Sequence, residues 1–298
     1  MKILVTGSNG QLGYELRQLA TQFPQGRFVF ADIEELDITS SDEVMSFVCL
    51  HQPAFIINAA AYTAVDNAED NPAAARQVNA VAVGHLVKAA FAVNAYLLHI
   101  STDYVFDGKK TTPYLETDAV NPLSVYGQTK LEGEHAVQSY KRGLVVRTSW
   151  LYSSVGTNFV RTMLRLGCER ASVRVVSDQV GSPTYAADLA AALYRIIGQT
   201  AEQPALFVPG IFHYANANTC SWYEFAKKIM YWSKCACQVE PCTTDDYPTK
   251  ARRPAHSMLD CGKIQQTYGV VAPLWENALR RCLKTLNGNP KAAKNENF

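Results

Sequence analysis

Lys2-Ile3-Leu4-Val5-Thr6-Gly7-Ser8-Asn9-Gly10-Gln11-Leu12-Gly13 is the stretch on which the fold turns. Residues 2–6 are aliphatic and β-branched, the pattern of a short buried strand. Three glycines at a spacing of three follow at once, and helical periodicity takes over across Leu12–Gln22. Gly7 permits a tight turn, Gly10 lets backbone approach a pyrophosphate, and Gly13 lets the helix pack closely on the sheet. The helix N-terminus then offers unpaired N–H groups to phosphate. An ordinary βα turn also carries glycines, and Asp32 weighs against that plainer reading. It lies about 20 residues after Gly13, at the end of the next strand, where a carboxylate binds the adenine-ribose hydroxyls of a dinucleotide. Its charge repels a 2′-phosphate, which favours NADH over NADPH.

Outward from this turn, the N-terminal half alternates strands and helices. Phe28–Asp32, Ala54–Asn58, Tyr96–Ile100 and Leu144–Thr148 read as further strands. Ser40–His51, Pro72–Val93 and Asn121–Tyr140 read as helices, with Pro72 suited to a first turn. This rhythm predicts an α/β fold, a Rossmann-type doubly wound parallel sheet with a smaller C-terminal substrate-binding lobe. Residues 1–150 form the NAD(P)-binding domain, with segments around 173–215 returning to it. Residues 151–286 supply most of the substrate lobe. There Val173–Ser177 and Phe212–Ala215 read as strands, and Asn158–Cys168, Ala186–Ile197, Ser221–Ser233 and Trp275–Leu286 as helices. Residues 287–298 are a polar tail.

Composition narrows the function classes. The chain has 298 residues, 48% of them hydrophobic and 18% charged, which excludes a disordered chain. Lys+Arg 28 against Asp+Glu 27 leaves +1, too little to draw nucleic acid or an anionic membrane globally. The lack of a long apolar run reads as a soluble, cytoplasmic protein. The eight cysteines are scattered, as in a reduced intracellular protein. Cys235, Cys237 and Cys242 cluster but lack metal-ligand spacing. His99, alone in an apolar strand, reads as a core histidine.

Two Tyr/Lys pairs sit four residues apart, Tyr126/Lys130 and Tyr223/Lys227. Each pair shares a helix face. Context separates them. Before the first lies a strand ending in Ser101-Thr102-Asp103, at the strand end where α/β folds bind ligands. The second reads as a surface helix.

Gly7-x-x-Gly10-x-x-Gly13, Asn58-Ala59-Ala60, Ser101-Thr102-Asp103-Tyr104-Val105-Phe106-Asp107-Gly108 and Tyr126-Gly127-x-x-Lys130 together resemble the extended short-chain dehydrogenase/reductases. Residues 58–66, Arg147-Thr148-Ser149-Trp150, Asp178–Thr184 and Tyr247–Pro254 narrow this to a resemblance to the dTDP-4-dehydrorhamnose reductase family, over nearly the whole chain. The resemblance implies NADH- or NADPH-dependent reduction of the C4 keto group of a nucleotide-linked 4-keto-6-deoxy sugar, within dTDP-rhamnose biosynthesis for cell-surface polysaccharide. Thr102, Tyr126 and Lys130 would be catalytic, with Lys130 lowering the Tyr126 pKa. Besides the three glycines, the cofactor site would hold Gln11, Leu12, Asp32, Asp37, Ile38, Ala61, Tyr62, Thr63, Ile100, Tyr126 and Lys130. Thr102, Asp103 and Trp150 would touch the sugar, and Arg252 and Arg253 the nucleotide diphosphate. Asn79 resembles the family's structural asparagine. A homodimer and bound Mg²⁺ are further implications, Glu15 being the one candidate ligand.

Two alternatives share these motifs. A nucleotide-sugar epimerase shuttles hydride on a retained NAD. A non-catalytic regulatory subunit resembling the methionine adenosyltransferase β subunit would keep the fold without turnover. A 4,6-dehydratase fits less well, because Tyr104 stands where those relatives carry a second carboxylate.

Overall fold

The structure is a computed structural model that describes residues 1–288. In chain order the first strands are β1 (Lys2–Thr6), β2 (Arg27–Ala31), β3 (Phe55–Asn58), β4 (Tyr96–Thr102), β5 (Gly143–Thr148) and β6 (Leu151–Tyr152). After them come β7 (Ser172–Val176), β8 (Val180–Gly181), β9 (Thr184–Tyr185), β10 (Gly210–His213), β11 (Cys220–Ser221) and β12 (Gln238–Cys242). The helices are α1 (Gln11–Ala20), α2 (Ser41–His51), α3 (Val65–Asp70), α4 (Pro72–Arg76), α5 (Ala82–Ala92) and α6 (Val125–Gln138). Beyond the sheet's fifth strand lie α7 (Phe159–Glu169), α8 (Ala186–Glu202), α9 (Trp222–Ser233), α10 (Gly262–Tyr268) and α11 (Trp275–Gly288).

Six strands pair in parallel in the order β10-β5-β4-β3-β1-β2. Strand side chains alternate between faces, so Ile3 and Val5 point one way and Leu4 the other. Ile3 and Val5 meet Leu12 and Leu16 of α1, Leu193 and Ile197 of α8, and Ile264 of α10. Leu4 meets Val44 and Val48 of α2, Leu86 of α5 and Val137 of α6. Both faces are thereby covered, as a parallel sheet requires. This is the Rossmann-type arrangement that the strand–helix rhythm implies. A separate core holds the C-terminal lobe, where Phe225 and Ile229 of α9 pack with Tyr152, Val160, Trp275 and Leu279.

Several boundaries differ from expectation for physical reasons. Helix α6 starts at Val125 rather than Asn121, because Pro122 disfavours helical backbone at Asn121. Ser124 then caps it, accepting from the Gly127 N–H at 3.2 Å. The Pro72–Val93 helix contains a π turn, Gln77–Val81, between α4 and α5. β4 runs two residues beyond Ile100, since Ser101 and Thr102 pair with Arg147 and Thr148. The later strand is Gly210–His213 rather than Phe212–Ala215, and it lies beside β5. β7 does not join this sheet; it pairs with β12, which Pro241 had hidden. No described helix is long and apolar enough to cross a membrane. Residues 287 and 288 continue α11, and the rest of the expected tail lies outside the described residues.

Candidate active site

The glycine turn works by close approach. Gly7 has φ +68°, and a Cβ there would lie 2.5 Å from the Ala60 nitrogen. A Cβ on Gly13 would lie 2.5 Å from the Gly7 oxygen. Real Cβ atoms do not tolerate such contacts, so both positions require glycine. Gly10 is the α1 N-cap and has no side chain to cover the first N–H groups. Those groups face a cleft of about 660 Å³ at the C-terminal ends of the strands.

The cleft fits a dinucleotide. Gln11 Oε1, Asp103 Oδ2 and Thr148 Oγ1 line it and are buried without a protein partner. Buried polar atoms are nearly always satisfied, so these mark where a polar ligand sits. Asp32 lines the cleft beside the turn and accepts from the Asn9 N–H at 2.7 Å and the Ile33 N–H at 2.9 Å. Gly7, Gly10, Leu12, Asp37, Ile38, Ala61, Thr63 and Ile100 line it as well. Gly13 and Tyr62 do not; Gly13 is spent on helix packing. Tyr62 is held from behind, its N–H donating to Asn79 Oδ1 at 2.8 Å and its carbonyl accepting from Asn79 Nδ2 at 3.1 Å.

Asn79 sits in the π turn and also donates to Thr129 Oγ1 at 3.1 Å. One side chain therefore ties the loop around Tyr62 to α6, the helix of Tyr126 and Lys130. A π turn adds a residue to the helical circuit, which turns side chains away from their regular faces. Gly133 permits the contact, since a Cβ there would meet the Asn79 carbonyl at 2.2 Å.

Thr102, Asp103, Tyr126, Lys130 and Trp150 all line the cleft. Tyr126 and Thr102 line the same wall of it. Burial pushes the Tyr126 phenol pKa up to about 12. The expected lowering by Lys130 is thus not what governs the phenol here. Lys130 instead donates to the Ile100 carbonyl at 2.6 Å, and burial brings its pKa down to about 8. Asp103 accepts from Thr102 Oγ1 at 3.0 Å, and burial raises its carboxyl to about 6.

Arg253 corrects an expectation. Its guanidinium takes both oxygens of Asp66, at 3.2 and 2.7 Å, rather than facing the cleft. Fork and carboxylate match geometrically, which fixes the pair. The Arg253 charge acts on the nearby Tyr104 phenol, and the Tyr104 ring stands edge-on to Tyr126 with centroids 5.5 Å apart. Arg252 is exposed and also does not line the cleft.

Trp222 is the main residue missed. It lines the cleft and stacks on Trp150 with centroids 3.5 Å apart and planes 7° apart. Trp150 has φ +47°, unusual for a bulky residue and a sign of imposed geometry. Gly181 leaves room for its indole, which a Cβ would meet at 2.6 Å. The capping box of Ser221 and Glu224 starts α9 and so places Trp222. An aromatic just after such a box was the available signal.

Other candidates fall outside the cleft. Glu15 is buried and accepts from Ser153 Oγ at 2.6 Å. Among the described residues no group of three His, Cys, Asp or Glu side chains is placed to hold a metal ion. Lys227 lies over the Tyr223 ring on α9. Cys235, Cys237 and Cys242 are free thiols.

A glycine turn on a helix N-terminus, an acidic residue after β2, and Thr, Tyr and Lys converging at the strand ends define a Rossmann-type reductase of the extended short-chain class. The family model described as the RmlD substrate binding domain matches residues 1–287. The chain belongs to this family, that of the dTDP-4-dehydrorhamnose reductases. It is 42% identical to the dTDP-4-dehydrorhamnose reductase of Aggregatibacter actinomycetemcomitans, over 94% of this chain and 97% of that protein. It is 40% identical to the one of Escherichia coli K12, over 96% of this chain and 98% of that protein. Among solved structures, a dTDP-4-dehydrorhamnose reductase from Bacillus anthracis, in complex with NADP, is similar at TM-score 0.90 and 37% identity. The match covers 95% of this chain and 99% of that one.

Proposed function

We propose that the protein reduces the C4 keto group of dTDP-4-dehydro-β-L-rhamnose to give dTDP-β-L-rhamnose, using NADH or NADPH. The convergence of Thr102, Tyr126 and Lys130 on one cleft beneath the glycine turn carries this reading. A reduced nicotinamide supplies hydride to the carbonyl carbon. The carbonyl oxygen gains the electron pair of the broken π bond and takes the Tyr126 proton. Burial serves this direction, because a phenol raised to about 12 keeps its proton until the oxyanion forms beside it. Thr102 hydrogen-bonds at the same oxygen. Trp150, braced by Trp222, walls the sugar pocket. The test is NADH and NADPH oxidation with dTDP-4-dehydro-β-L-rhamnose, with its epimer as control. No oxidation with either sugar overturns the reading.

Asp32 favours NADH in this reading, since its carboxylate in the cleft would repel a 2′-phosphate bound beside it. Replacing it with Ala is expected to shift the NADPH-to-NADH ratio of kcat/KM about tenfold or more towards NADPH, as repulsion between like charges is removed. Steady-state kinetics with both cofactors checks this. An unchanged ratio removes Asp32 from cofactor selection.

A further inference from the structure

His99 is fully buried and packs behind the catalytic helix. Its tautomer can be read from its neighbours. Asn58 Oδ1 accepts from the Ala60 backbone N–H at 3.2 Å and from Thr6 Oγ1 at 2.8 Å. A backbone N–H can only donate, so the oxygen of that amide is fixed. Asn58 Nδ2 is then the atom 3.0 Å from His99 Nδ1, and it donates. A neutral imidazole that accepts at Nδ1 carries its proton on Nε2. Burial and the nearby Lys130 charge keep His99 neutral, with a pKa well below the usual range.

Nε2 lies 3.4 Å from Lys130 Nζ. An N–H facing an ammonium is donor against donor and cannot bond. An N–H facing an amine can, because the amine has a lone pair while its own N–H still reaches the Ile100 carbonyl. We infer that His99 is a positioning residue, locked by Asn58 so that its Nε2–H favours the amine form of Lys130 over the ammonium. This rests on the reductase reading above and deepens it. When Tyr126 has given its proton to the sugar oxygen, a proton passing from Lys130 to the phenolate leaves that amine. His99 Nε2–H then bonds the lone pair without giving up its own proton, and solvent recharges the lysine.

The groups around Lys130 are few. Glu134 lies one turn along α6 and favours the charged form. Arg147 of β5 bonds both Glu134 oxygens, at 2.9 and 2.7 Å, and offsets that pull. Tyr126 shares the Lys130 face of α6, and β4 contributes His99 and, beyond its end, Asp103.

Two measurements test the inference. Imidazole ¹⁵N spectra of the wild-type protein are expected to show His99 protonated at Nε2. Protonation at Nδ1 overturns it, whatever the substrate proves to be. His99→Gln places an amide that can accept from the ammonium. The alkaline limb of kcat/KM is expected to move up by about one pH unit, with the plateau kcat changed far less. A limb that stays in place in a folded variant overturns the role. A wild-type protein that shows the Nε2 tautomer but oxidises no cofactor with the sugar would overturn the reductase reading alone.

Discussion

Tyr126→Phe is expected to lower kcat by about 10²–10⁴, the usual worth of a positioned general acid. Cofactor affinity should barely move. The ring fills the same volume, and dinucleotide binding rests mainly on the glycine turn, the α1 N-terminus and Asp32. Thr102 retains its bond to Asp103. Turnover assays paired with a fluorescence titration of NADPH separate the two effects. Near-normal turnover would remove Tyr126 from proton transfer. Equal losses of turnover and cofactor affinity would make its role structural.

The second large effect concerns stability. Glu134 and Arg147 are both almost completely buried, and Ser101 Oγ donates to the same carboxylate at 2.5 Å. Arg147 also lies over the Phe106 ring, 5.1 Å from its centroid. The pair therefore joins α6 to β4 and β5 directly behind Thr102, Tyr126 and Lys130. Glu134→Ala leaves a buried guanidinium without its counter-charge and is expected to cost about 3–5 kcal/mol. Replacing both partners with apolar residues of similar size should recover most of that loss, since neither charge is then stranded. Urea unfolding checks both variants, read from the midpoint at constant m. A Glu134→Ala midpoint equal to wild type would show that the pair holds nothing together.

What the sequence made legible was local. Gly7, Gly10 and Gly13 sit in one turn, Asp32 ends the next strand, and Tyr126 and Lys130 share one helical face. Each can be read from spacing, because backbone geometry alone brings the atoms together. The residues that stayed hidden act through partners far along the chain. Arg253 suited a diphosphate by its chemistry, but Asp66 claims its guanidinium. Trp222 became visible only once Trp150 lay against it. His99 was legible as a core residue, while its contact with Lys130 depends on how β4 and α6 pack. The π turn at Gln77–Val81 leaves the apolar pattern of Pro72–Val93 almost intact, so periodicity could not reveal it. β12 was concealed by Pro241, which is tolerated there because the strand belongs to a two-stranded pair.

The contacts that join α3 to residues 250–253 bear on how the protein comes to be made. Lys250 reaches Asp70, the Ala251 N–H donates to Asp66 at 2.9 Å, and Arg253 grips the same carboxylate. Each closes a loop of about 180 residues, and the entropy of such closure is lost before the contact is gained. A chain emerging from the ribosome can lay down β1 to β5 and the glycine turn early. The clamp on α3 must wait for the last sixth of the sequence. Helix α10, which closes the sheet face under the glycine turn, comes later still, so nucleotide affinity and catalytic competence should both arise only once nearly the whole chain has emerged.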